Sequence, residues 1–340
     1  GGSYYWSHRV LDKVQYHRRW IYRRGFPGET TPFRIEVENH KRLPVGWLRV
    51  SDPWPMQAGI EQQEALETSF LPEVQLFYNL YRLRWFELVV REYSLQFNKR
   101  GVHAVGPARV EAGDLFGLFE QGMELPDQEY LTVFPALLEA PALHLNADDP
   151  FGDRQARRTL FEDPNRPIGV RPYQAGDSFR HIHWPATART NSLQVRVFQP
   201  VSSRVMMICM NVATDPRPWL NVDTELLEYI IRLTATFAYQ SVEDGYAVGL
   251  LSNGYLAQAD QPFNIPPNRA PGQLALLLES LAAVTSFTTT SFENYLVASL
   301  PRVQYGTTLM VVTALVSEEL CQTLLRLKRY RTYTTLVSLG

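Results

Sequence analysis

Arg171-Pro172-Tyr173-Gln174-Ala175-Gly176-Asp177-Ser178-Phe179-Arg180-His181-Ile182-His183-Trp184 continues through Pro185-Ala186-Thr187-Ala188-Arg189 to Leu193, Val195, Arg196 and Phe198. A solvated loop rarely mixes Trp, Phe, Ile and Arg this closely. The stretch is therefore expected to be half buried, with its charges paired. Gly176-Asp177 closes a turn, and Asp177 is a suitable N-cap for a short helix starting at Ser178. Asp177 and Arg180, three apart, would share one face of that helix. Phe179, Ile182 and His183 form a small apolar stripe. Pro185 ends the helix or starts another turn. Leu193, Val195 and Val197 then alternate with Gln194, Arg196 and Phe198, the period of a strand leading out.

Beyond this stretch the period changes. Val205 to Val212 is a continuous apolar run, as expected of a strand buried on both faces. After the capping candidate Asp223, the residues Val222, Leu226, Ile230, Leu233 and Phe237 recur at helical spacing. A strand at Tyr246 to Leu251, helices at Leu274 to Ala283 and Phe292 to Leu300, and a strand at Thr308 to Thr313 follow. Ser317 caps another helix, with Glu318 and Glu319 in its first turn and Lys328, Arg329 and Arg331 at its end, matching the helix dipole. Thr332 to Leu339 is a last strand. Alternating strands and helices predict a doubly wound α/β domain over 204–340.

Upstream the pattern is all-β. Phe33, Ile35 and Val37 alternate with Arg34, Glu36 and Glu38, and Tyr93, Leu95 and Phe97 alternate with Ser94 and Gln96. Turn signals at Gly25-Phe26-Pro27-Gly28, Asn98-Lys99-Arg100-Gly101, Gly106-Pro107 and Gly113-Asp114 separate such runs, which predicts a β-sandwich over 25–142. Glu61 to Ser69 reads as a short helix or a charged insertion. The polar stretch from Leu143 to Pro167 reads as a linker, so 143–203 holds linker and signature together. The fold class expected is thus α+β and multidomain. The run His17-Arg18-Arg19-Trp20-Ile21-Tyr22-Arg23-Arg24 allows a basic juxtamembrane segment over 1–24, or else an edge strand or a solvated surface.

Composition narrows the function classes. The chain has 340 residues, 45% of them hydrophobic, and a net charge of −2, so no global field draws in nucleic acid or an anionic membrane. Cys209 and Cys321 lie in apolar segments, which excludes a disulfide scaffold. Only Lys13, Lys41, Lys99 and Lys328 are lysines, so basic chemistry rests on Arg, the residue suited to bidentate pairing. No run of eighteen apolar residues occurs. A phosphate loop, a His-Glu-x-x-His pair and a dinucleotide-binding glycine pattern are all missing from the sequence.

The pattern Arg-x-Tyr-x-x-Gly-Asp-x-x-Arg-x-Ile-His-Trp-x-Ala-x-Ala-Arg, ending at Leu193, Val195 and Arg196, resembles the signature of the bacterial and archaeal family called domain of unknown function 58. The stretches Arg100 to Pro107, Gly113 to Phe119 and Asn39 to Leu48 resemble it too. The resemblance implies two membrane helices ahead of this region, and the basic amino-terminal run leads to the expectation of soluble domains on the cytoplasmic side. It also implies partnership with a MoxR-type AAA+ ATPase, with a transglutaminase-like protein as a further associate. The order of elements after 204 resembles a von Willebrand factor type A domain, whose metal site uses Asp-x-Ser-x-Ser, a later Thr and a later Asp. Here Asn211, Ala213 and Asp215 stand in the first motif, Thr290 for the Thr and Thr313 for the last Asp. A hard cation wants several anionic oxygens, and Asp215 alone offers one. Neither a metal nor another cofactor is expected there, although the edge of the sheet can still recognise a partner.

The signature carries three readings. Arg171, Asp177, Arg180 and Arg189 would form ion pairs that lock one domain onto the other, with Tyr173 and Trp184 packed over them and His183 and Arg196 alongside. The same arginines would alternatively bind an acidic partner segment. A His-Asp pair of Asp177 and His183 is the third, supporting acid–base hydrolysis or, with His181, zinc. No nucleophile stands in an elbow context, and a helical turn would point the two imidazoles apart. The leading expectation is a non-enzymatic interaction module without a catalytic residue; the alternative is a metal-dependent or Asp/His-based hydrolase.

Overall fold

The computed structural model describes residues 11, 13–113, 120–139, 161–175, 177, 179–201, 205–217, 221–257, 259, 261–299, 306–328 and 333–339. Gly176, the Gly113-Asp114 turn beyond Gly113, and the polar stretch up to residue 160 lie outside them. The chain is a multidomain α+β protein with two compact units. One comprises 1–137, 256–259 and 278–285; the other holds the rest.

Among the described residues, twelve strands build the first unit: β1 (Val14–Trp20), β2 (Arg24–Gly25), β3 (Thr30–Asn39), β4 (Val45–Pro55), β5 (Ala58–Ile60), β6 (Leu66–Thr68), β7 (Val74–Leu83), β8 (Leu88–Phe97), β9 (Gly101–Val105), β10 (Arg109–Gly113), β11 (Glu120–Glu124) and β12 (Glu129–Val133). They pair in the orders β1-β3-β8-β5, β11-β10-β4-β7-β6 and β2-β12-β9. The alternation read in β3 is realised: Phe33, Ile35 and Val37 are fully buried, while Arg34 points outward to Glu92. The first two sheets meet through aromatic rings. Trp20 of β1 stacks on Phe33 at 5.0 Å, Phe33 on Trp54 of β4 at 5.3 Å, and Trp54 contacts Phe77 of β7 at 5.4 Å. Glu61 to Ser69 holds a single 3-10 turn at Gln63–Ala65 followed by β6.

The basic run of the amino-terminal part falls largely on β1, an edge strand paired with β3. Its alternation turns Tyr16 and Arg18 inward and leaves Arg19 outside, bonded to Glu36. Arg18 donates through Nε and Nη2 to the Asp52 carboxylate at 2.6 and 2.8 Å, and through Nη1 to Glu129 at 3.2 Å. The Tyr16 hydroxyl donates to Asp52 at 2.9 Å, and Trp20 Nε1 to Glu129 at 2.9 Å. This buried network ties β1, β4 and β12 together. Gly106 completes its wall. With φ at +83°, a Cβ there would lie 2.6 Å from Arg18 Nη2 and 2.8 Å from the Asp127 carbonyl. Gly106→Ala is expected to destabilise the unit by about 1–3 kcal/mol, from left-handed backbone and the displaced guanidinium; urea denaturation measures it.

The second unit opens with a hairpin, β13 (Phe161–Pro172) and β14 (Gln194–Val201), antiparallel with register shifts at Pro167. Between the two strands lie a 3-10 turn (Phe179–His181) and α1 (Trp184–Thr190). The backbone from 161 to 167, expected as linker, is therefore strand. Then come β15 (Val205–Met210), α2 (Thr224–Glu243), β16 (Ala247–Tyr255), β17 (Pro262–Asn268), α3 (Gln273–Ala283, of which 278–283 are grouped with the first unit), α4 (Phe292–Ser299), β18 (Thr308–Thr313), α5 (Glu318–Lys328) and β19 (Tyr333–Ser338). The sheet order is β17-β16-β15-β18-β19, with β17 antiparallel and the other pairs parallel.

Every residue of β15 is buried, which explains its unbroken apolar run. Met207 and Cys209 face a cluster with Phe292 and Leu296 of α4 and Leu320 and Leu327 of α5. Met206, on the opposite face, receives the Ser241 hydroxyl of α2. Helices thus cover both sides. Asp223 caps α2 by accepting from the Leu226 amide at 3.0 Å, as its position predicts. β17 went unread because Pro262, Pro266 and Pro267 punctuate it; an edge strand tolerates them. Among the described residues, no helix is long and apolar enough to cross a membrane.

Candidate functional site

Two places in the second unit gather the residues singled out by sequence. In the signature, Arg171 donates from both Nη atoms to Asp177, each at 2.7 Å, and the Gln174 amide donates to the same carboxylate at 2.8 Å. The Arg171 bonds and the Gln174 amide hold the Asp177 carboxyl below the usual carboxylate range. The expectation of an Asp177 N-cap facing Arg180 is corrected: Asp177 closes the turn onto Arg171 instead. A bidentate guanidinium matches a carboxylate better than one helical amide does.

His183, not Asp177, caps the helix that forms. Its Nδ1 accepts from the Ala186 amide at 3.0 Å, so this nitrogen carries no proton. Pro185 lies in the first turn of α1, where its missing N–H has no partner to lose. Asn191 ends α1 in the left-handed conformation at φ 53°. The segment is anchored through the His183 amide to the Gln194 carbonyl and the Tyr173 amide to the Leu193 carbonyl. Ile182 and Val195 pair and are buried.

The aromatic residues are placed differently from the expectation. Phe179 is 70% and Trp184 66% exposed, so Trp184 does not pack over the arginines. Phe179 stacks on half-buried Tyr173 at 5.6 Å. Arg180, Arg189 and Arg196 are exposed and form no ion pair with any described residue. The physical reason is the economy of the turn. Arg171 and the Gln174 amide occupy the Asp177 carboxylate, and α1 is too short to bury Trp184 while Ile182 and Val195 supply the anchor. His183 and Asp177 are each committed to a structural bond, and among the described residues no three His, Cys, Asp or Glu side chains cluster as a metal site would require.

The second place is the edge beyond the carboxyl ends of β15 and β18, where the strand order reverses. Asn211 is buried and central. Its Nδ2 donates to Thr313 Oγ1 at 3.1 Å, and its Oδ1 accepts from the Ala213 amide and from Asn253 Nδ2, both at 3.1 Å. Asn253 Oδ1 accepts in turn from the Val212 amide at 3.1 Å. Thr313 Oγ1 also accepts from the Leu315 amide. A cavity of about 490 Å³ opens here, lined among others by Asn211, Ala213, Asp215, Thr290, Glu293 and Ser317. The five residues of the degenerate metal motif are thereby brought together, four on the cavity wall and Thr313 bonded to Asn211. Asn211, Asn253 and Thr313 spend their amide and hydroxyl groups on one another and on nearby backbone, forming a neutral brace beside the Asp215 carboxylate. Asn253, Glu293 and Ser317 were missed by sequence reading. The available signal was Ser252-Asn253-Gly254, a turn-forming triplet at the end of an apolar strand.

The family profile described as "Protein of unknown function DUF58" matches residues 169–338, which include both places. A protein of Bacillus subtilis (strain 168), "Uncharacterized protein YeaD", is 25% identical over 249 residues, covering 72% of this chain and 55% of that protein. The chain thus spans about half the length of that curated relative. Among solved structures, AvmM, which catalyzes macrocyclization in alchivemycin A biosynthesis, is 14% identical over 38% of this chain and 93% of its own, at a TM-score of 0.25. The ASH/PapD-like domain of human CEP192 is 15% identical over 36% of this chain and 84% of its own, at a TM-score of 0.22. Likenesses at these scores assign neither fold nor activity.

Proposed function

The chain belongs to the DUF58 family, and from that premise we propose that it is the non-enzymatic protein-interaction module of a membrane-anchored accessory protein. Its partner in this reading is a MoxR-type AAA+ ATPase engaged in assembly or maturation of other proteins, with the domains on the cytoplasmic side. The ATPase and the anchor rest on family resemblance. What supports the interaction reading is one observation: a rigid turn held by Arg171, Asp177 and His183 presents Phe179 and Trp184 to solvent beside the uncompensated Arg180 and Arg189. Exposed aromatics and arginines on an ordered scaffold are the residue types that dominate binding energy at interfaces. The arginines select an acidic partner surface.

In the same reading the first unit is a β-sandwich, because two antiparallel sheets share one aromatic core. The second is a doubly wound, von Willebrand factor type A-like domain, because helices flank both faces of its mostly parallel sheet.

Binding of the purified chain to the MoxR-type ATPase encoded in the same genome, followed by biolayer interferometry, tests the function. Phe179→Ser with Trp184→Ser is expected to weaken the Kd at least about tenfold, that is by about 1.4 kcal/mol or more. Arg180→Ala with Arg189→Ala is expected to slow association and flatten its salt dependence. Unaltered binding by both pairs removes the signature turn from the interface.

A further inference from the structure

We infer that the cavity beyond β15 and β18 receives a basic side chain of a partner polypeptide: an ammonium or guanidinium group on an aliphatic stem. The inference deepens the interaction reading at residues separate from the signature turn, so the two stand or fall by different variants.

The cavity has the size of a small-molecule or side-chain site, within roughly 300–1,000 Å³. Phe292, Leu315 and Val316 give it apolar walls. Two carboxylates, Asp215 and Glu293, face it, and none of its lining residues is Lys, Arg or His. Each carboxylate is held by a single bond. Asp215 Oδ1 accepts from the Arg217 amide at 2.8 Å, and Glu293 Oε1 accepts from the Ser317 hydroxyl at 2.6 Å. The second oxygen of each has no partner among the described residues. Glu293 lies in the first turn of α4.

Two acids beside apolar walls, with no counter-charge among the described lining residues, call for a cation from outside. A divalent metal fits poorly. It needs about six or more oxygen ligands, whereas Asn211 Oδ1 and Thr313 Oγ1 already accept two protein donors each. An organic cation needs only the two free carboxylate oxygens, and its stem uses the walls that a metal ignores. A side chain is preferred over a free amine because Thr289 and Ser291, exposed on the rim, can bond to peptide groups flanking it.

Capped tripeptides Ala-Lys-Ala, Ala-Arg-Ala and Ala-norleucine-Ala, together with cadaverine and MgCl₂, are titrated into the isotopically labelled chain and followed by amide chemical shifts. The expected result is saturable shifts at 211–215 and 288–293 with the Lys or Arg peptide, not with norleucine. Asp215→Asn with Glu293→Gln, which keeps both existing acceptor atoms, should weaken that binding at least tenfold. Phe179→Ser with Trp184→Ser should leave it unchanged. The inference is overturned if norleucine binds equally, if the Asp215/Glu293 variant binds as before, if cadaverine or Mg²⁺ saturates the site while the basic peptides do not, or if nothing shifts these residues.

Discussion

Arg18→Met lowers the stability of the first unit by about 3–5 kcal/mol, the range for removing one partner of a buried ion pair. The substitution keeps the volume and strands the Asp52 carboxylate, which is fully buried and holds Arg18 through two bonds. Urea denaturation followed by tryptophan fluorescence should show the midpoint falling, since Trp20 and Trp54 sit in the core beside the network. Arg18→Met with Asp52→Asn should recover part of the loss. Asn carries no charge and still accepts from the Tyr16 hydroxyl.

The pH response of the single variant gives an independent check. In the wild type, burial raises the Asp52 carboxyl while Arg18 and Tyr16 pull it down. Without Arg18 the folded value moves further above the unfolded one. The folded chain then binds the proton more readily, and stability falls as pH rises through that folded value. The deficit of Arg18→Met is therefore smaller in the acidic carboxylate range than at neutral pH. A deficit independent of pH would mean that lost packing, not the stranded charge, causes it.

At the sheet edge, Asn211→Ala is expected to destabilise the second unit by about 2–4 kcal/mol. It leaves two donors unpaired, the Ala213 amide and the Asn253 side-chain amide, each worth about 1–3 kcal/mol when buried without a partner. Asn211→Asp should retain most of the stability, because a carboxylate accepts from both donors and the Thr313 hydroxyl, which donates to the Leu315 carbonyl at 2.9 Å, can turn to donate to it instead. It also adds an anionic oxygen to a cavity already holding Asp215 and Glu293. Mg²⁺ or Mn²⁺ should therefore raise the melting temperature of Asn211→Asp and leave the wild type unmoved. Equal metal responses would show that Asn211 does not set the charge of this edge.

Much of the scaffold was legible along the chain. Alternation in β3, the apolar run of β15 and the caps Asp223 and Ser317 are all matters of near neighbours, and each is realised. The site was legible in part. Asn211, Ala213, Asp215, Thr290 and Thr313 could be chosen because the order of elements resembles a von Willebrand factor type A domain, and these residues stand where its metal motif would. Asn253 and Glu293 could not, since nothing near them in sequence marks which strand end or helix start adjoins Asn211.

By itself, the order of residues determined most of the elements, the mixed class of the fold and the presence of a turn at Asp177, because backbone preference and hydrophobic period act over a few residues. Tertiary structure decided which charges are inside. Arg18 and Arg180 look alike in basic, aromatic surroundings, yet Arg18 is buried and Arg180 is open to solvent. The difference lies in strands that arrive from far away: Asp52 and Glu129, 34 and 111 residues along the chain, reach Arg18, and no described carboxylate pairs with Arg180. Charge burial follows the partner, and the partner is set by how the sheets pack.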